Sequence, residues 1–87
     1  MRNTRSNPGK RLRARRLALG LSLRDVHRAS ISIARKLRNR AFIASPSRLH
    51  DFETKSVVPS IYRIYTLALV YKCELRELLR RYGIPSR

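Results

Sequence analysis

The sequence predicts an all-α fold of five helices in one domain, and three observations carry that expectation. Apolar residues recur at spacings of three and four through most of the chain, and no segment alternates with period two. Helix-start residues precede the periodic stretches (Asn7-Pro8, Ser22, Ser45-Pro46, Ser60), and Gly20 and Gly83 follow two of them. The length of 87 residues suits one small domain, whose core buries only about 60–65% of the unfolded surface.

Residues 1–6 are polar and aperiodic and read as a flexible basic arm; residues 7–87 read as the folded domain. Asn7-Pro8 is a cap followed by a proline whose missing N–H is no loss at the first helical position. The first helix should run from about Pro8 to Leu19, with Leu12, Arg16 and Leu19 on one stripe, Arg15 at its edge, and Gly20 closing the last turn. Ser22 and Asp25 form a capping-box pattern for a second helix that continues to about Arg38. Its inward positions are expected at Leu23, Val26, Ala29, Ser30, Ile33 and Leu37. Asn39-Arg40 breaks the period, and Phe42-Ile43 reads as a short apolar link.

Ser45-Pro46 opens a short third helix. Leu49 and Phe52 share a narrow apolar edge with Glu53 beside them, leaving Ser47, Arg48, His50 and Asp51 outward. Lys55–Pro59 reads as a turn. Ser60 caps a fourth helix whose wide apolar face, Ile61, Ile64, Tyr65, Leu67, Ala68 and Tyr71, should form the centre of the core. Glu74 opens a fifth helix carrying Leu75, Leu78, Leu79 and Tyr82, with Cys73 and Leu78 placed for a hydrophobic staple.

Composition narrows the function. The formal net charge is +16, and 17 of the 21 cationic residues are arginine, which suits planar, two-pronged contact with phosphate or guanine edges. Nucleic acid is the first partner this charge implies; an anionic membrane surface or an acidic protein comes next. Cys73 is the only cysteine, so no internal disulfide forms, which fits a reducing compartment. The apolar run Leu17–Leu23 after Arg15-Arg16 is at the minimum length for a targeting signal, stops at Arg24-Asp25 and has no small-residue cleavage site, so none is expected; no stretch reaches membrane-spanning length. Neither a catalytic arrangement, a metal site nor a glycine-rich phosphate loop is apparent, so an enzyme and a cofactor are not expected.

The stretches Gly20-Leu-Ser-Leu-Arg-Asp-Val26, Ser45-Pro-Ser-Arg-Leu-His-Asp-Phe-Glu53, Pro59-Ser-Ile61 and Glu74-Leu-Arg-Glu-Leu-Leu79, in that order, resemble the phage-repressor/Cro-type (XRE family) helix-turn-helix domains. The resemblance covers about residues 9–80. It implies a five-helix lambda-repressor-like fold whose third helix enters the major groove of double-stranded DNA, here with a lengthened second helix and a longer link, Ser30 to Ala44. The chain departs from the family pattern at Leu23 and Pro46, where Gln is usual. It departs again at Lys55, where Gly is common, at Arg15, usually apolar, and at His27, often Ala.

Carried over by position, the resemblance makes Pro46, Ser47 and Asp51, with Arg48 adjacent, the base-reading residues. It makes Ser22, Arg24, Ser45, Ser60 and Tyr62 phosphate contacts, and Arg16 and Glu53 a structural ion pair. Arg48 is alternatively a solvated arginine. Asp51 either accepts from cytosine N4–H or pairs with Arg48, and His50 reads as a surface residue. Arginines 11, 13, 15, 35, 38 and 40 read as an electrostatic footprint. Leu69 and Ile84 mark either a dimer contact or ordinary surface.

The implied function is sequence-specific DNA binding by a transcriptional regulator such as a repressor, cytoplasmic and nucleoid-associated, in some cases as a homodimer on DNA. A second reading is an antitoxin-like module covering an acidic toxin. A third is a nonspecific RNA- or nucleoid-binding basic protein.

Overall fold

The computed structural model describes residues 7–55 and 57–84, so the expected basic arm, with Arg2 and Arg5, lies outside the described residues. The chain is all-helical. Five α-helices follow one another: α1 Pro8–Ala18, α2 Leu23–Leu37, α3 Pro46–Thr54, α4 Ile61–Val70 and α5 Leu75–Arg81. A single 3₁₀ turn, Arg40–Phe42, lies between α2 and α3 and was not foreseen from the sequence. No strand occurs among the described residues.

The helix starts form as their residues dictate. Asn7 Oδ1 accepts from the Lys10 amide at 3.1 Å. Ser22 Oγ accepts from the Asp25 amide, and the Asp25 carboxylate accepts in return from the Ser22 amide, a complete capping box. Ser45 and Ser60 cap α3 and α4 the same way, through the amides of Arg48 and Arg63.

Four helices end in the same wrapped motif. At Gly20, with φ +73°, the Leu21 amide reaches back to the Arg16 carbonyl and Gly20 to Leu17. Gly83 does likewise after α5. Arg38 and Lys72 take the same left-handed conformation after α2 and α4 without being glycine, at a cost of about 1–2 kcal/mol each.

The core gathers one or two residues from each element: Leu12, Val26, Ala44, Leu49, Phe52, Leu78, and four from α4, namely Ile64, Leu67, Ala68 and Tyr71. Helix α4 is therefore central, but its buried face is rotated from the expected one. Ile61 and Tyr65 are exposed, whereas Thr66 is fully buried, its hydroxyl donating to the Phe42 carbonyl at 2.7 Å. In α2 the inward row is Val26, Ser30 and Ala34, and Leu37 is 46% exposed. Small residues are needed there because the backbone of the α2–α3 link packs against them.

Helices α1 and α3 meet closely at Gly9. A β-carbon there would lie 2.7 Å from the Phe52 carbonyl oxygen and 2.8 Å from that of Glu53, so this position admits no side chain.

Candidate nucleic-acid interface

Helix α3 has nine residues, too few to be stable alone. Its position is set by groups on both sides. On its buried edge, Leu49 and Phe52 enter the core. Arg16 of α1 grips Glu53 with two parallel bonds, Nε to Oε2 at 2.7 Å and Nη2 to Oε1 at 2.9 Å. The side chains are only 9% and 3% exposed. The carboxylate on its guanidinium raises the Arg16 pKa against the opposing effect of burial. The remaining nitrogen, Nη1, donates to the Leu21 carbonyl, so one guanidinium ties α1, the entry to α2 and α3.

The other side is the link. Three consecutive residues before α3 are held by side chains from two different helices. Thr66 of α4 takes the Phe42 carbonyl, and Arg63 Nε of α4 takes the Ile43 carbonyl at 2.8 Å. Ser30 Oγ of α2 accepts from the Ala44 amide at 3.0 Å and donates to the His27 carbonyl. The link is thereby a fixed spacer that delivers Ser45 to its capping position.

What α3 then presents outward is short and polar. Ser47, Arg48 and His50 are exposed, and Ser45 and Pro46 are half-buried at the helix start. The Ser45 and Ser47 hydroxyls lie 3.4 Å apart. Asp51 is half-buried and pairs with Lys55 one turn on, at 3.3 Å, not with Arg48; Lys55 follows it at the favourable i,i+4 position. Arg48 has no carboxylate within salt-bridge distance among the described residues.

Ser60 and Tyr62 stand exposed at the start of α4. Arg63, three residues beyond Ser60, is not among the site residues expected from the sequence, yet it joins this start to the link that precedes α3. Its pKa is lowered by burial and then by the charge of Arg48, so the two guanidinium groups feel each other at this end of the molecule. No local pattern could have found it, since its partner carbonyl is 20 residues away.

Ser22 and Arg24 are exposed at the start of α2. Hydrogen bonds from the Ser22 amide and hydroxyl hold the Asp25 carboxyl below its usual range, so a negative charge sits in that first turn, partly offset by Arg28 at 3.3 Å. The α2 start therefore carries a negative charge that the first turns of α3 and α4 lack. Arg15 leaves the expected electrostatic footprint: its Nε donates to the Tyr71 carbonyl at 2.9 Å and its Nη2 to that of Lys72 at 3.3 Å, so it caps the end of α4. Arg11, Arg13, Arg35, Arg38 and Arg40 are exposed.

No family model, curated protein or solved structure matches the chain. No three His, Cys, Asp or Glu residues come together among the described residues, and burial pushes the Cys73 thiol up, away from its reactive form. No described helix is long and apolar enough to cross a membrane.

Proposed function

We propose that this chain is a sequence-specific double-stranded DNA-binding domain of the phage-repressor helix-turn-helix type, acting as a transcriptional regulator, with α3 as the reading helix. One observation carries the reading. A helix too short to stand alone is fixed by the Arg16–Glu53 pair on its buried edge and by three side-chain clips on the link at its start. Its outward Ser47 and Arg48 are left without an acidic partner in a chain of net charge +16. Fixed polar side chains on a helix are what base reading requires, and unpaired arginines supply the phosphate term.

In this reading Arg48 forks onto guanine O6 and N7, Ser47 lies beside it, and Asp51, already engaged by Lys55, plays the lesser part. Ser45, Ser60, Tyr62 and Arg63 face the phosphates on either side, and Ser22 and Arg24 reach one further away. The Ser60 oxygen accepts an amide hydrogen, which leaves its own O–H free to donate to a phosphate, whereas the Ser22 hydroxyl is turned to Asp25 and that of Ser45 lies beside Ser47.

The test starts by selecting sites from a random duplex library, then titrates variants against selected and scrambled duplexes at fixed salt. Arg48→Ala should weaken the selected site by about 1–3 kcal/mol and leave the scrambled duplex nearly unchanged. Arg13→Ala should weaken both alike, as a phosphate contact does. With six phosphate contacts, log affinity should fall against log salt with a slope of about −5. Equal binding of every duplex, or no binding at low salt, overturns the reading; stable capture by an acidic protein in place of DNA would favour an antitoxin-like role.

A further inference from the structure

We infer that the groove between the start of α1, the end of α3 and the end of α5 is a binding site for a small organic anion with an apolar body, of the class of a medium-chain carboxylate. The inference does not rest on DNA binding. The groove has a volume of about 1040 Å³, at the upper end of small-molecule sites, which run to about 1,000 Å³.

Two kinds of side chain line it. Val57 and Val58, in the turn after α3, are 41% and 58% exposed, and with Leu23 and Phe52 they form the apolar part of the wall. Lys10, Arg13, Lys55 and Arg81 supply the cations. Lys10 and Arg13 have no carboxylate within salt-bridge distance among the described residues, and Lys55 and Arg81 are held only in exposed pairs, which are weak. The one acid among the described lining residues, Glu53, is buried against Arg16 and neutralised by it. Tyr82 also lines the groove, and its buried hydroxyl has no hydrogen-bond partner among the described residues. A hydroxyl left so is costly, and a ligand oxygen supplies what the fold does not.

Charge selects the occupant. Residues 1–6 join α1 at Asn7, on the edge of the groove, but they carry Arg2 and Arg5 and no acid. A second copy brings a net charge of +16. Both are repelled by this rim. A nucleic-acid backbone satisfies the cations but offers nothing to two exposed valines. An amphipathic anion matches both halves. Its charge meets Lys10 and Arg13 near the positive end of the α1 dipole, and its apolar body covers Val57 and Val58.

The groove lies where α1 and α3 meet, with Gly9, Phe52 and Glu53 all in its wall. A ligand seated there bridges the two helices and so stabilises the folded chain.

Nitrogen–proton NMR titration of the full chain at neutral pH reads the site residue by residue. Sodium decanoate is the probe, with decan-1-ol, inorganic phosphate and a tetraglutamate peptide beside it. Decanoate should saturate and shift the amides of Lys10, Thr54, Val58 and Tyr82. Decanol and phosphate each carry half of the chemistry and should bind at least about tenfold more weakly. Val58→Asp, which sets a carboxylate among the apolar lining, should weaken decanoate by about tenfold or more. Leu69→Asp makes the same change at a half-exposed residue of α4 outside the groove and should alter binding by less than about twofold. Circular-dichroism melts check that each variant is folded. Shifts that never saturate, or that scatter over every arginine face, overturn the inference. So does phosphate or decanol binding as well as decanoate. Tighter binding of the glutamate peptide overturns it too and assigns the rim to an acidic chain. An equal loss in Val58→Asp and Leu69→Asp would make net charge the whole effect and sink the site.

Discussion

Removing either partner of the Arg16–Glu53 pair should destabilise the fold far more than removing both. The two bonds, 2.7 and 2.9 Å long, are made by side chains only 9% and 3% exposed, so water cannot replace a missing partner. In Arg16→Ala the Glu53 carboxylate is left buried and unpaired, and the Leu21 carbonyl loses its donor. In Glu53→Ala the guanidinium is stranded. Breaking a buried pair from one side costs about 3–5 kcal/mol. A domain of this length has a total stability of roughly 5–10 kcal/mol. Each single variant therefore loses a large fraction of its stability, and at about 4–8 °C per kcal/mol its thermal midpoint falls by at least about 12 °C. Arg16→Met with Glu53→Leu removes both charges and keeps the volume filled, so the double variant should recover most of the loss. The assay is a double-mutant cycle by thermal and urea unfolding at neutral pH and fixed salt. Single losses below about 1 kcal/mol, the range of a surface pair, would refute the reasoning. A double variant losing the sum of the two singles would refute it equally.

Two further perturbations follow from the packing. Gly9→Ala places a methyl group 2.7–2.8 Å from two backbone carbonyl oxygens of α3, so α1 and α3 must separate. The cost should be about 1–3 kcal/mol by urea titration, and an unchanged midpoint would mean the two helices slide freely. Raising the pH should unfold the protein through its buried phenols: burial pushes Tyr82 up to about 12 and Tyr71 still higher. Because both folded values lie above the unfolded one of about 10, their stabilisation is complete below pH 10 and is lost as pH rises from there through about 12. Tyr82→Phe should soften that decline without weakening the fold at neutral pH, since the buried Tyr82 hydroxyl has no partner among the described residues. Equal alkaline unfolding in wild type and variant would place the loss elsewhere.

What was legible in the sequence was local. Ser22 with Asp25, Ser45 with Pro46, and Gly20 announce helix ends through interactions spanning a few residues, and those ends are where the chain puts them. The apolar period located the helices and most of the core. It failed where burial depended on a distant backbone. Leu37 was expected inward because it is large and in phase, but the link backbone needs Ser30 and Ala34 on that side, and Leu37 faces solvent. Arg15 read as part of a charged face, and nothing in the local pattern marked Thr66 or Arg63, yet all three are clips whose acceptors are carbonyls 56, 24 and 20 residues away. Within the candidate site, Arg48 and Ser47 were legible as outward residues of a short helix. The partner of Asp51 was not: Arg48 and Lys55 are both near it in sequence, and only the side-chain geometry chooses Lys55.

The use of the five acidic residues explains how stability and binding share one set of charges. Asp25, Asp51, Glu53 and Glu77 are each engaged by a base of this chain: Arg28, Lys55, Arg16 and Arg81. Only the Arg16–Glu53 pair is buried, and it is the one that sets the angle of α3. The others are exposed pairs of little energetic consequence. Arg11, Arg13, Arg40 and Arg48 are exposed with no acid in reach among the described residues. In the free chain such charges repel and lower the stability of the compact state. On the proposed function the same charges are neutralised by phosphates, so duplex binding raises the unfolding free energy as any ligand of the folded state does. Substitutions at these arginines should therefore stabilise the free chain while weakening its complex. A substitution at Arg16 should harm both, because that arginine holds α3 in place.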